Sequence, residues 1–260
     1  MIYVCIPSHD EAPTIGLLLW KIRKIFQEFP REYQLLVADD GSTDSTAELL
    51  EPYSKVLPLT IVRHGSPIGE PASVEELLRL ALERTDRPKR DCAIVMHADF
   101  SHGPEFLPEL VKQIESGADL VVAEGTLRGE PSRGHRWLRR WAPLLLRGRI
   151  SVPGVRDVVS GFAAVRLVSL RNAIRAHTGP MLTTVGWAAR AELIGRLAAH
   201  ARRVESVATI ERHDLRSRPS RSAPWAETRR IWGARRRLEI VPARQPRPDR
   251  PGTPRAAEVV

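Results

Sequence analysis

Apolar runs of strand length recur along the first half of the chain, at residues 2–6, 34–38, 57–62, 92–96 and 120–123. Between them, apolar positions return every three or four residues over 14–29, 45–53, 73–84 and 104–116, which predicts amphipathic helices. Strand and helix therefore alternate. That order predicts an α/β fold, a mostly parallel mixed sheet flanked by helices on both faces. In open sheets of this kind ligands bind beyond the carboxyl ends of the strands. The rule selects four loops, residues 7–13, 39–46, 64–71 and 97–103.

Beyond residue 124 the pattern loosens. A basic helical stretch covers 134–147, Pro153-Gly154 makes a break, a short strand is expected near 162–165, and a helix at 188–201 leads to a strand at 204–210. From Ser217 onward Pro, Arg and Ser dominate. The expected organisation is one folded domain over 1–216, a basic amphipathic segment over 217–241 and a disordered tail over 242–260, where apolar surface is too sparse to offset ordering entropy.

Composition narrows the function classes. Hydrophobic residues make up 42% of the 260, as in soluble globular proteins. Cys5 and Cys92 both fall in apolar runs, so they read as core residues and not as a disulfide or metal pair. No apolar run approaches the roughly 18 residues needed to span a bilayer. Residues 1–7 lead directly into a strand without a basic leader or a cleavage site, so a cytoplasmic location is expected. The net charge is +9, but residues 1–200 carry 25 basic against 24 acidic side chains, and residues 201–260 carry 15 against 7. The excess belongs to the tail and comes without a recognised nucleic-acid motif, which places nucleic acid last among the partners.

Three of the four loops carry chemistry. Pro7-Ser8-His9-Asp10-Glu11 links a strand to a helix, so its backbone and Glu11 can face a ligand or merely cap the helix. Asp39-Asp40-Gly41-Ser42-Thr43-Asp44 sets two carboxylates side by side, an arrangement that repulsion disfavours unless they bind something; Thr43 or Asp44 can cap the next helix. In Met96-His97-Ala98-Asp99-Phe100-Ser101-His102, side chains two apart on an extended strand end share a face. His97, Asp99 and Ser101 can then converge on one divalent ion.

Together these loops resemble the family 2 glycosyltransferases with the GT-A nucleotide-sugar-binding fold, over roughly the first 125 residues. The resemblance implies that Pro7, His9, Glu11, Asp39, Asp40 and Ala98 hold the nucleotide of the donor, and that Asp99 reaches its diphosphate through Mn²⁺ or Mg²⁺. His97 stands where the family has the first Asp of Asp-x-Asp. Imidazole suits Mn²⁺ and is a poor ligand for Mg²⁺. The second half is similar to the polyprenyl-phosphate sugar synthases, the dolichol-phosphate mannosyltransferase group. Ser132-Arg133-Gly134, Asp157-Val158-Val159-Ser160-Gly161-Phe162, Ala191-Glu192-Leu193 and Arg212-x-x-Leu215-x-Ser217-Arg218 carry this likeness. Departures stand at Gly125, Ala163 and Leu215.

That group implies an inverting transfer of a hexose from a GDP- or UDP-sugar to a polyprenyl phosphate. A lipid phosphate is already anionic, so the reaction needs cations to hold two phosphate groups together more than it needs a strong base. Arg133, Arg212 and Arg218 are the candidates, with Asp99. Trp137, Leu138, Trp141, Leu144 and Leu145 lie among arginines on one predicted helix, and Trp225, Ile231, Trp232 and Leu238 repeat the combination. Such stretches either pack on the domain or meet an anionic membrane surface peripherally. A family 2 transferase with a soluble acceptor, and a degenerate transferase fold acting as a scaffold, remain as alternatives.

Overall fold

A computed structural model describes residues 1–128, 133–146, 149–150, 152–212, 223–234 and 238. Seven strands form one sheet: β1 (Ile2–Ser8), β2 (Tyr33–Asp39), β3 (Leu59–Arg63), β4 (Cys92–Val95), β5 (Leu120–Arg128), β6 (Ala163–Arg166) and β7 (Val204–Arg212). Their spatial order is β3-β2-β1-β4-β6-β5-β7. The first four are parallel, β6 runs antiparallel to both its neighbours, and β5 and β7 pair in parallel. The chain first steps outward from β1 to β3 and then returns across β1 to β4. A crevice therefore opens beyond the carboxyl ends of β1 and β4, where the winding direction reverses.

Alternate residues of β1 feed opposite cores. Val4 and Ile6 pack with Ile15, Leu18, Leu19 and Ile22 of α1 (Ala12–Glu28) and with Leu107, Leu110 and Ile114 of α4 (Leu107–Glu115). Tyr3 and Cys5 face the other side, over Val74, Leu77 and Leu78 of α3 (Glu70–Arg84). The same side collects α5 (Arg133–Leu146), α6 (Leu167–Arg175), α7 (Trp187–Ala199) and α8 (Pro224–Ala234), while α2 (Thr46–Ser54) packs beside α1. Each fully buried leucine or isoleucine here contributes about 1.5–3 kcal/mol. Both thiols are inert: burial pushes Cys5 far up, and Cys92 up to about 12.

The alternating pattern of strands and helices agrees with the sequence, with three differences. Helix α3 begins at Glu70, earlier than expected, because Pro71 falls in the first turn, where its missing N–H costs nothing. α6 was not expected at all; nine residues with Leu167, Leu170 and Ile174 inward were too short to stand out. β5 and β7 extend further than their apolar runs, because they pair from Leu120↔Val204 to Arg128↔Arg212.

Candidate functional site

The loops after β1 and β2 are laced together. Asp10 adopts a left-handed conformation (φ 49°), and its Oδ1 accepts the N–H groups of Thr43 at 2.7 Å and Asp44 at 3.3 Å. The Thr43 N–H holds the Asp10 carboxyl below its ordinary value. In return Ser42 Oγ accepts the Asp10 N–H at 2.9 Å, and Thr46 Oγ1 accepts that of buried Glu11 at 2.8 Å. Asp44 rather than Thr43 serves the start of α2, through the Thr46 N–H at 2.9 Å. His9 Nδ1 lies 2.7 Å from the Asp40 carbonyl oxygen. Pro7 pairs with Ala38 in the sheet beneath.

Asp39 and Asp40 diverge, as neighbours at a strand end must. The Asp40 carboxylate is spent internally: it accepts the N–H groups of Ile68 at 2.7 Å and Gly69 at 2.9 Å, and faces His64 Nδ1 at 3.0 Å. Burial raises this carboxyl, but those donors more than reverse it, and the group sits below its ordinary value. Gly41 makes the approach of that loop possible. At φ 63° it favours glycine, and a Cβ there would lie 2.7 Å from Pro67 N. Asp39 accepts the Ser42 N–H through Oδ1 at 3.2 Å; its other oxygen takes no hydrogen bond among the described residues.

The fourth loop departs from the sequence reading. β4 ends at Val95, so His97, Asp99 and Ser101 lie beyond the strand and do not inherit its alternation. Phe100 is left-handed (φ 58°), and Ser101 donates its N–H to Asp99 Oδ1 at 2.9 Å. Ser101 Oγ meets His102 Nδ1 at 3.2 Å, and Ala98 is buried. Among the described residues no group of three His, Cys, Asp or Glu side chains is placed to hold an ion.

The segment from Asp157 to Phe162 closes on this loop. Gly161 (φ 72°) is so near that a Cβ would lie 2.8 Å from His97 Nε2 and 3.0 Å from Arg190 Cδ. The Phe162 ring lies 5.0 Å from that of His102. Arg190, in the first turn of α7, is bound by Glu70 of α3, Nε to Oε1 at 3.1 Å and Nη2 to Oε2 at 3.4 Å, while His97 Nδ1 stands 3.6 Å from Glu70 Oε1. The start of α7 is held by buried Glu227 of α8, whose Oε2 accepts the Trp187 N–H at 3.0 Å. Glu192 is wholly buried and accepts the N–H groups of Thr183 and Thr184, a structural role.

Sequence reasoning missed Glu70, Arg190, His64 and Glu227. Glu70 and His64 lay within the third loop selected by the sheet rule, and Arg190 stands two residues before Glu192 of a motif already noted. Arg133 opens α5 and Arg212 closes β7, with their side chains outside the described residues, as is all of Arg218.

The two tryptophan stretches meet on one surface. The single face expected on α5 divides: Leu138, Ala142 and Leu146 turn into the core, while Trp137 and Trp141 stay 44% and 42% exposed. α8 divides likewise, with Ile231 inward and Trp225 and Trp232 outward. The Trp137 ring lies 6.2 Å from Trp141 and 5.9 Å from Trp225, with Arg136, Arg140, Arg229 and Arg230 exposed nearby on the same helices. Gly134 allows the approach, since a Cβ would lie 2.8 Å from Pro224 Cγ. Leu144 has its side chain outside the described residues, and no described helix is long and apolar enough to cross a membrane.

Residues 3–174, more than half of the chain, match the model of glycosyl transferase family 2. The chain belongs to this family. Among curated proteins, it is 29% identical over 168 residues to the dolichol-phosphate mannosyltransferase of Pyrococcus furiosus, covering 63% of this chain and 45% of that protein. It is 30% identical over 145 residues to the undecaprenyl-phosphate 4-deoxy-4-formamido-L-arabinose transferase of Pseudomonas fluorescens, covering 55% and 39%. The chain thus spans less than half the length of these relatives. Its GT-A fold is shared with glucosyl-3-phosphoglycerate synthase from Mycobacterium tuberculosis, solved with Mn²⁺, UDP and glucosyl-3-phosphoglycerate, at TM-score 0.60 and 20% identity over 92% of this chain and 80% of that one. S. aureus TarS 1-349 with UDP superposes at TM-score 0.54 and 19% identity, over 79% and 57%.

Proposed function

We propose that this chain transfers a hexose from a nucleoside-diphosphate sugar to a polyprenyl phosphate at a membrane surface. The observation that carries the reading is the contact of Gly161 with His97, which brings the segment matched to lipid-phosphate enzymes onto the loop matched to the donor diphosphate. Donor and acceptor sides then share one crevice, at the point where the sheet reverses its winding. The two curated relatives, by name, act on dolichol phosphate and undecaprenyl phosphate.

Within this reading Asp39 receives the nucleoside, because its second oxygen is available, with the laced loop of Pro7, His9 and Glu11 beside it. Asp40 anchors the loop after β3 through the Ile68 and Gly69 N–H groups, and Ala98 lies buried in the loop after β4. An oxygen of the acceptor phosphate bonds to the sugar C1 from the face opposite the leaving group as the C1–O bond to the diphosphate breaks. The electron pair departs with the nucleoside diphosphate. The acceptor is ionised at neutral pH, so the chain must supply positive charge and alignment; Arg133, Arg212 and Arg218 take the acceptor side. The Mycobacterium tuberculosis neighbour was solved with Mn²⁺ and UDP. Here Ser101 Oγ is turned to His102 and Glu70 is engaged by Arg190, so His97 and Asp99 are the side chains of this loop that would hold such an ion, which would supply positive charge to the departing diphosphate. No step is routed through a metal.

The test is a two-stage assay. Nucleotide sugars are screened by thermal stabilisation, where a ligand at 100 times its dissociation constant adds about 2.7 kcal/mol. The best donor is then offered a short-chain polyprenyl phosphate and, separately, phosphoglyceric acid, the ligand of a solved relative of this fold. Transfer to the lipid phosphate supports the proposal. Transfer to the soluble acid alone replaces the acceptor, and donor binding without transfer or hydrolysis points to a scaffold.

A further inference from the structure

A narrow, mostly apolar cleft lies between α3 and α7, lined by Glu70, Val95, His97, Gly161, Leu182 and Arg190 among others. Among the described residues that line it, Arg190 is the one permanently charged cation. Its side chain is 22% exposed and gripped by Glu70, whose own side chain is 37% exposed. Burial disfavours the charge on Arg190; Glu70 first, then Asp99 and Glu211, more than restore it. The α7 N-terminus offers little to an anion, because Glu227 already takes the Trp187 N–H.

We propose that Arg190 is the cation that binds the donor diphosphate, held in the free protein by Glu70 and passed to the diphosphate when the donor enters. The inference rests on the donor reading above. A leaving diphosphate requires positive charge in place before the bond breaks, and Arg190 supplies a permanent one beside the His97 loop, where no group of three His, Cys, Asp or Glu side chains is placed to hold an ion by itself among the described residues. A planar guanidinium already oriented by a carboxylate presents two parallel N–H groups, which suit a phosphate as well as they suit Glu70. A diphosphate brings more negative charge than one carboxylate and so competes with Glu70 for the guanidinium. Gly161 keeps this arrangement possible, since any larger residue would push on both His97 and Arg190. No bond is made or broken in the exchange; Glu70 is left beside His97.

The test is titration calorimetry of GDP and UDP, with guanosine and uridine as controls, in EDTA and in Mn²⁺. The parent should bind a diphosphate in EDTA. Arg190→Gln should lose about 10- to 100-fold in diphosphate affinity, as expected for a charge-assisted contact, with no change for the nucleoside. Glu70→Gln, which frees the guanidinium, should hold or gain affinity. A purely structural ion pair predicts that both variants weaken binding alike, and that result overturns the proposal. So does a parent that binds diphosphate only with Mn²⁺, together with an Arg190→Gln variant that matches it. Should Arg190→Gln not fold, Glu70→Gln/Arg190→Gln removes both charges and must show the same loss. A protein that binds no nucleotide under any condition overturns the donor reading itself, whereas Mn²⁺-dependent binding leaves that reading standing.

Discussion

His64 bridges two carboxylates: its Nδ1 lies 3.0 Å from Asp40 Oδ1 and its Nε2 lies 2.7 Å from Glu76 Oε2. A neutral imidazole carries one N–H, so donation to both oxygens requires the cation. Burial opposes that charge, but Glu76 and Asp40 outweigh it, and His64 titrates above its ordinary 6.5. Its contribution to stability is complete below about 6.5 and is lost as pH rises through the folded-state value. Asp40 is shifted down, so its contribution is present above about 3.8 and is lost only as pH falls through its lowered value.

The first prediction follows from those signs. Urea unfolding of the parent and of His64→Asn at pH 5.5 and pH 8.5 should show a larger stability gap at the lower pH, by about 1 kcal/mol. A gap that is the same at both values would mean that the imidazole is neutral in the fold.

Asp39 and Asp40 should separate in function. Asp40→Ala strands the Ile68 and Gly69 N–H groups and the His64 contact, so it should cost about 2–3 kcal/mol of stability. Asp39→Asn keeps an acceptor for the Ser42 N–H and should unfold much as the parent does, while binding GDP or UDP at least about tenfold more weakly. Denaturation and calorimetry on both variants decide it. The assignment of the nucleoside to Asp39 fails if Asp39→Asn binds as tightly as the parent.

Why the sequence pointed to the pair but not to this division of labour is a matter of reach. The apolar run of β2 and the acidic pair at its end are local, and they located the loop correctly. What neutralises Asp40 comes from the loop after β3, some 25 residues on, and no periodicity encodes that closure. Gly41, adjacent in the motif, is the local trace of it, because its φ and its missing Cβ matter only once Pro67 packs there. The same reasoning covers Arg190 and Glu70, which are 120 residues apart in the chain and meet only because α3 and α7 lie on one face of the sheet. Fold class was legible because each strand and helix announces itself over a few residues. The β4 loop was misread because strand geometry was extended past Val95, into a turn that Phe100 makes left-handed.

Gly161→Ala should injure both fold and site. It forces a Cβ into a left-handed position, 2.8 Å from His97 Nε2 and 3.0 Å from Arg190 Cδ, at a cost of about 1–3 kcal/mol. Gly179→Ala is the matched control, since nothing lies within 4 Å of its added carbon; its change should stay within about 0.5 kcal/mol. Thermal unfolding with and without nucleotide compares the two. Equal and small effects would show that the approach of the Asp157–Phe162 segment to His97 is looser than the structure has it.

The last prediction concerns the surface shared by α5 and α8. Trp137 has the rings of Trp141 and Trp225 6.2 and 5.9 Å away, and with Trp232, 61% exposed on the same helix as Trp225, they form an exposed aromatic cluster of the kind that marks an interaction surface. Their partners in the two helices, Leu138 and Ile231, are already in the core, so the exposed rings are not the visible edge of an unfinished packing face. Tryptophan suits the interfacial layer of a bilayer, and each arginine near an anionic surface adds about 1 kcal/mol. Arg136, Arg140 and Arg229 are exposed on the same two helices, while Arg230 is paired with Glu227. The parent should therefore sediment with vesicles rich in phosphatidylserine and much less with phosphatidylcholine vesicles, and high salt should release it. Trp137→Ala/Trp225→Ala removes the centre of the cluster without touching the crevice, and should lower vesicle binding at least about tenfold while nucleotide binding is kept. Vesicles without polyprenyl phosphate are used, so that surface attachment is measured apart from acceptor binding. A parent that ignores both vesicle types would leave the tryptophans as a contact for something other than lipid and would move the acceptor toward the aqueous phase.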